Sequence, residues 1–221
     1  MMMMAAALLA PHLLWAQQLV ADLSQANNSY GHSPVVVQWK GVDGASMSRN
    51  QSDCSSFITA LWRRAYGLDA EELRRWLGRG KPQAKHYHAA ITQANRFQRI
   101  LNVFAIQPGD LLASLYKEPR PGATGHLMLA AGRPTPTGAC WSGRCAYRLA
   151  VIDSSRSGHG PADTRRGGSG VGRGVIQLLT SVDGQLQGFR WSESKTSRWR
   201  LPPQESLVVG RFSRPAPTAG G

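Results

Sequence analysis

Residues 52–67 read SDCSSFITALWRRAYG and predict the helix around which the rest of the chain is organised. The apolar residues of this stretch recur at helical spacing, which is typical of a helix with one buried face. Either Ser52 or Asp53 can cap the first turn, and Gly67 supplies the left-handed residue that commonly ends a helix. Cys54 is therefore predicted in the first turn of a buried amphipathic helix.

A cysteine at the start of a helix favours a reactive thiol. Unpaired backbone N–H groups and the positive end of the helix dipole stabilise an anion there, so Cys54 is expected to lose its proton more readily than a free cysteine does. The resulting thiolate is a nucleophile. A single cysteine is more often a small buried apolar residue, so the residues downstream decide between these interpretations.

The composition indicates one globular domain with a basic surface. The 221 residues are 42% hydrophobic, which is enough for one ordinary core. The formal net charge is +13, and the basic excess lies beyond residue 60. Such a charge suits an anionic partner, namely nucleic acid, a lipid surface or an anionic cell-wall polymer. Nucleic acid is not expected, because the arginines are scattered and no nucleic-acid-binding signature occurs.

The N-terminal residues 1–16 read MMMMAAALLAPHLLWA and carry no charge. They are too short to span a bilayer and are similar to the apolar core of a secretory signal, with Ala16 at the candidate cleavage position. The basic leader of such signals is missing, and an apolar helix packed on the domain is the alternative. We therefore predict a signal segment at 1–16, one domain at 17–213, a disordered tail at 214–221, and a periplasmic or secreted location.

Cysteine usage agrees with export. Cys140 and Cys145 lie in ACWSGRCAY, where a turn at Ser142-Gly143 can bring the two sulfurs together and leave Cys54 free. A disulfide beside one free thiol fits an exported enzyme better than a cytosolic one, although a reduced cytosolic pair is the alternative. A zinc site is disfavoured because no second ligand pair has a fitting spacing. No metal or cofactor is expected.

The order of elements predicts an α+β fold. A second helix is expected at 68–78, where Asp69 and Glu72 form a capping-box pattern, and a third at 85–97. Extended runs separated by turns follow beyond residue 106. Helices first and strands later indicate helices on one face of an antiparallel sheet. The strands are expected at 111–115, 126–131, 146–153, 175–180, 185–191 and 206–212.

Three residues in this order can form a catalytic group. Cys54 opens a helix, His126 opens a strand, and Asp153 ends the next extended run. A cysteine peptidase needs a thiolate, an imidazole that accepts and returns a proton, and a third polar group that orients the ring. Adjacent strands would place His126 beside Asp153, and packing of the helix on the sheet would bring Cys54 within reach.

At these residues the sequence resembles the NlpC-type cell-wall peptidases of the papain-like cysteine peptidase superfamily. Their Asp-Cys-Ser-Gly-Phe run at a helix start is matched by residues 53–57, and their Pro-Gly-Asp-Leu turn by residues 108–111. Their Gly-His strand is matched by Gly125 and His126. The third catalytic residue of that family stands on the next strand, where Asp153 falls.

The resemblance covers about residues 30–155 and has two departures. Ser56 replaces the usual glycine after the nucleophile. The gap between His126 and Asp153 exceeds the family norm because it holds the CWSGRC loop. His159 is therefore the rival for the role of third residue.

The resemblance implies a papain-like fold and amide hydrolysis. Cys54 would attack a carbonyl, His126 would move the proton, and Asp153 would hold His126. The backbone N–H of Cys54 would stabilise the oxyanion, and Tyr30 is the candidate for the family's upstream tyrosine that adds a hydrogen bond. The implied substrate is a peptidoglycan stem peptide, cut at a bond involving D-glutamate and a diamino acid. Apart from the resemblance, we expect the protein to be a monomer.

The glycine-rich stretch 157–174 reads SGHGPADTRRGGSGVGRG. We interpret it as a substrate-side loop in which Arg165 and Arg166 contact carboxylates of a wall peptide, with a flexible surface loop as an equal alternative. Two further functions stay open. One is a papain-like acyl transferase or small-amide amidase, and the other is a non-catalytic wall-binding module in which Cys54 is inert.

Overall fold

A computed structural model describes residues 9–120 and 123–213. Within these ranges the protein is α+β, with four α-helices and a large antiparallel sheet, as the order of elements predicted. The predicted tail at 214–221 lies outside the described residues. The helices are α1 (Pro11–Asp22), α2 (Cys54–Tyr66), α3 (Ala70–Leu77) and α4 (Ala84–Thr92). The strands are β1 (Asn28–Tyr30), β2 (Val36–Gln38), β3 (Arg49–Ser52), β4 (Phe97–Ile100), β5 (Leu111–Arg120), β6 (Ala123–Ala130), β7 (Thr135–Pro136), β8 (Arg144–Ser155), β9 (Gly170–Ser181), β10 (Leu186–Arg190), β11 (Trp199–Arg200) and β12 (Glu205–Phe212).

The predicted central helix forms as α2. The Asp53 carboxylate caps it by accepting a hydrogen bond from the Ser56 backbone N–H at 2.7 Å, and Gly67 ends it with a φ of +71°. Its apolar face packs against α1 and the sheet, where burial of each large side chain stabilises the fold by about 2 kcal/mol. The buried apolar side chains are those of Phe57, Ile58, Leu61 and Trp62.

The two following helices are shorter than their predicted ranges. In α3 the capping box of Asp69 and Glu72 forms as predicted. The third predicted helix, at 85–97, is wrong at its end, because Phe97 lies in β4 and pairs with Phe212 in β12. The chain reverses between α4 and β4 through two residues with positive φ, and hydrophobic periodicity does not signal such a reversal. Those residues are Ala94 and Arg96.

The large sheet brings distant segments together. Among the described residues it holds nine strands in the order β11-β10-β9-β8-β6-β5-β12-β4, with β7 paired to β8, and every pairing is antiparallel. A turn at Asp183-Gly184 joins β9 and β10 as a hairpin. A separate three-stranded sheet, β1-β3-β2, precedes α2. It was not predicted, because its strands are three or four residues long and β3 is polar.

The predicted signal segment overlaps the first helix. Pro11 begins α1, and Leu13, Ala16 and Leu19 are fully buried in the core between helices and sheet. Residues 11–16 are therefore packed on the domain in this structure, ahead of the predicted boundary at residue 17. The signal segment at 1–16 and its alternative, an apolar helix packed on the domain, both stay predictions.

Two further features concern the predicted location. Cys140 and Cys145 form the predicted disulfide, and Cys54 is free. None of the helices in the described ranges is long and apolar enough to cross a membrane.

A buried histidine anchors α1. The ring of His12 donates from Nε2 to the Gly109 carbonyl at 2.7 Å and accepts at Nδ1 from the Tyr66 hydroxyl at 2.5 Å. Both ring nitrogens are therefore satisfied by the neutral form. Burial lowers the pKa of His12 from 6.5 to about 4, opposed in part by the hydrogen bond to Gly109.

We expect stability to fall when His12 is protonated. Because its pKa is lower in the folded than in the unfolded protein, the stabilisation is present above about pH 6.5 and is lost as the pH falls toward 4. The loss should reach about 3 kcal/mol and can be measured as the free energy of unfolding in urea at pH 7.0 and 4.5. The His12→Gln variant keeps a donor and an acceptor without titrating, so an equal loss in this variant would contradict the role of His12.

Candidate active site

Cys54 is the first residue of α2 and is 7% exposed. Next to it, the Asp53 carboxylate accepts hydrogen bonds from the Ser55 hydroxyl at 2.9 Å and the Ser56 N–H at 2.7 Å, and contacts Nδ1 of His32 at 2.9 Å. Burial raises the pKa of Asp53, but these hydrogen bonds outweigh burial and hold the pKa below its usual value. The Asp53 carboxylate therefore stays ionised and fixes the start of α2, where Cys54 lies.

Neighbouring strands bring the predicted histidine and aspartate together. β6 and β8 pair with Leu129 opposite Ile152, and this register places His126 near Asp153. Nε2 of His126 lies 2.6 Å from Oδ2 of Asp153, and both residues are buried. Since Nε2 is engaged, Nδ1 is the ring nitrogen left to face Cys54.

The charges of this group favour a protonated imidazole. Burial by itself lowers the pKa of His126. A charge on Cys54 and hydrogen bonds with Asp153 and Cys54 outweigh burial and raise this pKa from 6.5 to about 10. Burial raises the pKa of Asp153, whereas the charges of His159 and Arg165 hold it well below its usual value. At neutral pH the imidazolium of His126 thus lies between a carboxylate and the sulfur, and it carries a proton that it can donate.

His159 lies behind Asp153. Its Nε2 is 3.1 Å from Oδ1 of Asp153, and its Nδ1 is 2.8 Å from the Trp191 carbonyl oxygen. Of the two candidates for the third position, Asp153 contacts His126, and His159 contacts the other oxygen of the same carboxylate.

Arg165 does not occupy the predicted substrate-side position. The residue is 2% exposed, and its side chain directs Nη2 to Asp153 and Nη1 to Asp163. A guanidinium whose donors are all engaged inside the protein is not available to a substrate carboxylate, so this prediction is corrected. Arg166 is exposed, and its predicted contact with substrate stays a prediction.

A narrow cavity of about 80 Å³ opens beside Cys54 and His126. Tyr30 lines it, with the guanidinium of Arg156 5.4 Å from the centre of its ring, and its role as the upstream tyrosine stays a prediction. Burial, and to a lesser extent charge on Cys54, raise the pKa of Tyr30 to about 12, so its hydroxyl stays protonated and can donate. The other lining residues are Asp53, Ser55, Gln83, Ala84, Tyr116, Ala123, Thr124 and Gly125.

Gly125 belongs to the Gly-His motif for a steric reason. A Cβ atom at this position would lie 1.9 Å from the Ser114 carbonyl oxygen on β5. Since no side chain fits between the two strands, glycine permits the pairing that presents His126.

Two aromatic residues of the site were missed from the sequence. Tyr116 on β5 lines the cavity, and burial raises its pKa. The Trp191 ring meets His126 edge to face at 4.9 Å between centroids, and its centroid lies 4.2 Å from that of His159. Neither residue stands in a motif. For Tyr116 the one available signal was its place on β5, the strand next to the one that carries His126.

Larger cavities lie away from these residues. One of about 570 Å³ lies between the end of α1 and residues 164–171, and another of about 450 Å³ lies along the outer face of α2. Neither is lined by Cys54 or His126. The part of the chain that the structure describes contains no group of three or more His, Cys, Asp or Glu residues placed to hold a metal ion.

The fold and site define an α+β protein with a buried Cys-His-Asp group beside a narrow cavity. The chain is 31% identical over 216 residues to "Uncharacterized protein R653" of Acanthamoeba polyphaga mimivirus, a match that covers 90% of this chain and 95% of that protein. The chain belongs to the same family as R653. No family model and no solved structure matches the chain.

The Asp153→Asn variant tests the electrostatics of the site. Loss of the carboxylate charge should lower the pKa of His126 below about 10, which NMR titration of the ring can measure. It should also destabilise the protein by about 3 kcal/mol, because Arg165 then keeps a buried charge opposed by Asp163 alone. Asp43→Asn is the matched control, since Asp43 is exposed and its positive φ suits asparagine. An unchanged titration of His126 in Asp153→Asn would contradict this account.

Proposed function

We propose that the protein is an NlpC-type cysteine peptidase of papain-like fold, which hydrolyses an amide bond in peptidoglycan stem peptides. One observation carries the proposal: Cys54 begins a helix beside a cavity that it shares with His126, and Nε2 of His126 is hydrogen-bonded to Asp153. A nucleophile, a proton carrier and an orienting carboxylate are the three parts that thiol-dependent amide hydrolysis needs.

The arrangement of elements supports the papain-like assignment. In the proposed fold a helix that carries the nucleophile packs on an antiparallel sheet that carries the other two groups. Here α2 packs against β6 and β8, which hold His126 and Asp153 on neighbouring strands.

The chemistry follows from the atoms that face the cavity. The Cys54 thiolate attacks the substrate carbonyl carbon, and a C–S bond forms as the carbonyl oxygen takes the negative charge. The Cys54 backbone N–H has no partner within the helix and can bind this oxyanion, together with the Tyr30 hydroxyl. The imidazolium of His126 gives its proton to the leaving amine as the C–N bond breaks. Water then attacks the thioester, His126 takes its proton, and the thiolate leaves.

The shape of the cavity limits the substrate. About 80 Å³ admits the amide group of a scissile bond, and Ala84, Ala123 and Gly125 leave this space open. The side chains of D-glutamate and of the diamino acid would lie outside this cavity. The net charge of +13 suits an anionic wall polymer, and the disulfide suits the bacterial envelope or an extracellular location.

A second candidate is a papain-like acyl transferase or small-amide amidase. The small volume of the cavity is the observation that favours it, because a compact acyl group would fill that volume as well as a peptide would. The thioester would then be attacked by an amine or an alcohol in place of water.

We expect wild-type protein to release new carboxyl and amino termini from stem peptides that contain a D-glutamyl–diamino acid bond. Mass spectrometry of purified muropeptides measures this as the addition of one water. Cys54→Ser should lower the rate below roughly one thousandth of wild type, because serine has no thiolate to supply. Transfer of the acyl group to an added amine without hydrolysis would favour the second candidate, and an active Cys54→Ser variant would refute both.

The reactivity of Cys54 separates both enzymes from a non-catalytic wall-binding module. We expect iodoacetamide to alkylate Cys54 in folded protein at pH 7, and His126→Ala to slow this reaction about 10-fold, because an ordinary thiol is only a few per cent ionised there. The exposed Arg173→Met variant should react as wild type does. If Cys54 reacts only after unfolding, the catalytic proposal fails and the module interpretation takes its place.

A further inference from the structure

The carboxylate that holds His126 is itself held by a buried cation. Nη2 of Arg165 donates to Oδ1 and to the backbone carbonyl of Asp153, and Nη1 donates to Oδ2 of Asp163 at 3.2 Å. The guanidinium is therefore bound on several sides at once, which fixes its orientation. Its further acceptors are the carbonyl oxygens of Ser157, Gly170 and Gly172.

The glycine-rich stretch makes room for this cluster. A Cβ at Gly172 would lie 2.6 Å from the Arg165 side chain, and a Cβ at Gly174 would lie 2.4 Å from Oδ2 of Asp163. At Gly158 a Cβ would lie 2.8 Å from the Asp163 carboxyl carbon. The absence of three side chains around one ion pair indicates that these glycines serve the packing of Arg165 and Asp163.

His159 holds the same carboxylate from a second direction. Its Nδ1 faces the Trp191 carbonyl and its Nε2 faces Asp153, and both partners are acceptors. Oδ1 of Asp153 is thus shared by His159 and Arg165, and among the residues that the structure describes Oδ2 is bonded only to His126.

The buried group pairs opposite charges. The carboxylates of Asp153 and Asp163 oppose the guanidinium of Arg165 and the imidazolium of His126. A buried group of charges is tolerated when each charge is paired and hydrogen-bonded. The imidazolium of His126 is therefore a charge that the surrounding side chains neutralise.

We propose that Arg165 is a positioning residue of this site, which holds the Asp153 carboxylate so that Oδ2 faces His126, with His159 as a second anchor. The proposal rests on the proposed function, because it assigns Arg165 a role in the reaction of Cys54. Arg165 touches neither substrate nor the sulfur and acts through Asp153. The planar guanidinium of Arg165 is essential for this role. A lysine ammonium cannot bind Asp153, Asp163 and the carbonyl of Gly172 at the same time.

The test compares Arg165→Lys and Arg165→Met with the control Arg173→Met, which removes an exposed arginine from the neighbouring strand β9. Two readouts are used on folded protein. One is the far-downfield proton NMR resonance of the His126 ring N–H that is bonded to Asp153. The other is the rate of Cys54 alkylation at pH 7. A purely structural role of Arg165 would lower the melting temperature and leave both readouts unchanged.

We expect the resonance to shift or disappear in both Arg165 variants, and alkylation to slow about 10- to 100-fold, because a displaced proton carrier no longer supports the thiolate. Arg173→Met should match wild type in both. Gly172→Ala retains every charge but pushes Arg165 aside, so it should reproduce the defect if Arg165→Met does not fold.

A folded Arg165→Lys variant with the wild-type resonance and alkylation rate would overturn the positioning role. Failure of the proposed function looks different. Wild-type Cys54 would then be unreactive or stem peptides would stay intact, while the His126 resonance would still report whether Arg165 holds Asp153.

Discussion

Complete burial of the Asp153 carboxylate is the constraint on which the candidate site depends. An ionised carboxylate without solvent is tolerated only when both oxygens are paired and hydrogen-bonded. One oxygen is taken by His126, and the other is shared by His159 and Arg165. These three partners come from β6 and from the segment between β8 and β9, so a single charge holds separate parts of the chain in register. The ring that faces Cys54 is fixed as a consequence.

The second requirement of the site is the position of α2. Its apolar face is buried against α1 and the sheet, so the start of the helix cannot move without exposing the core. Asp53 caps that start, and Cys54 follows in the first turn, where the backbone N–H groups have no partners within the helix. Core packing thus positions Cys54, whereas buried electrostatics position His126. The two meet at the narrow cavity that Tyr30 also lines.

The glycine-rich stretch shows why part of the site escaped prediction. In the sequence, Arg165 stands among glycines and resembles a residue of an exposed loop. In the fold, those glycines belong partly to β9, and their missing side chains leave space into which Arg165 turns inward. Composition cannot distinguish a glycine that allows mobility from one that allows close packing. Trp191 and Tyr116 were missed for a related reason, because contacts between strands carry no local pattern.

The sequence by itself determined the elements whose signals are local. Helical periodicity with the cap at Asp53 and the ending at Gly67 specified α2, and alternating turns and apolar runs specified the main strands. It also named Cys54, His126 and Asp153 as candidates, because their order matched a motif. Only the tertiary structure decided that α1 belongs to the core and that Arg165 pairs with Asp153. Both are contacts between segments that are far apart in the sequence. Burial of apolar area and neutralisation of buried charge therefore depend on the whole fold.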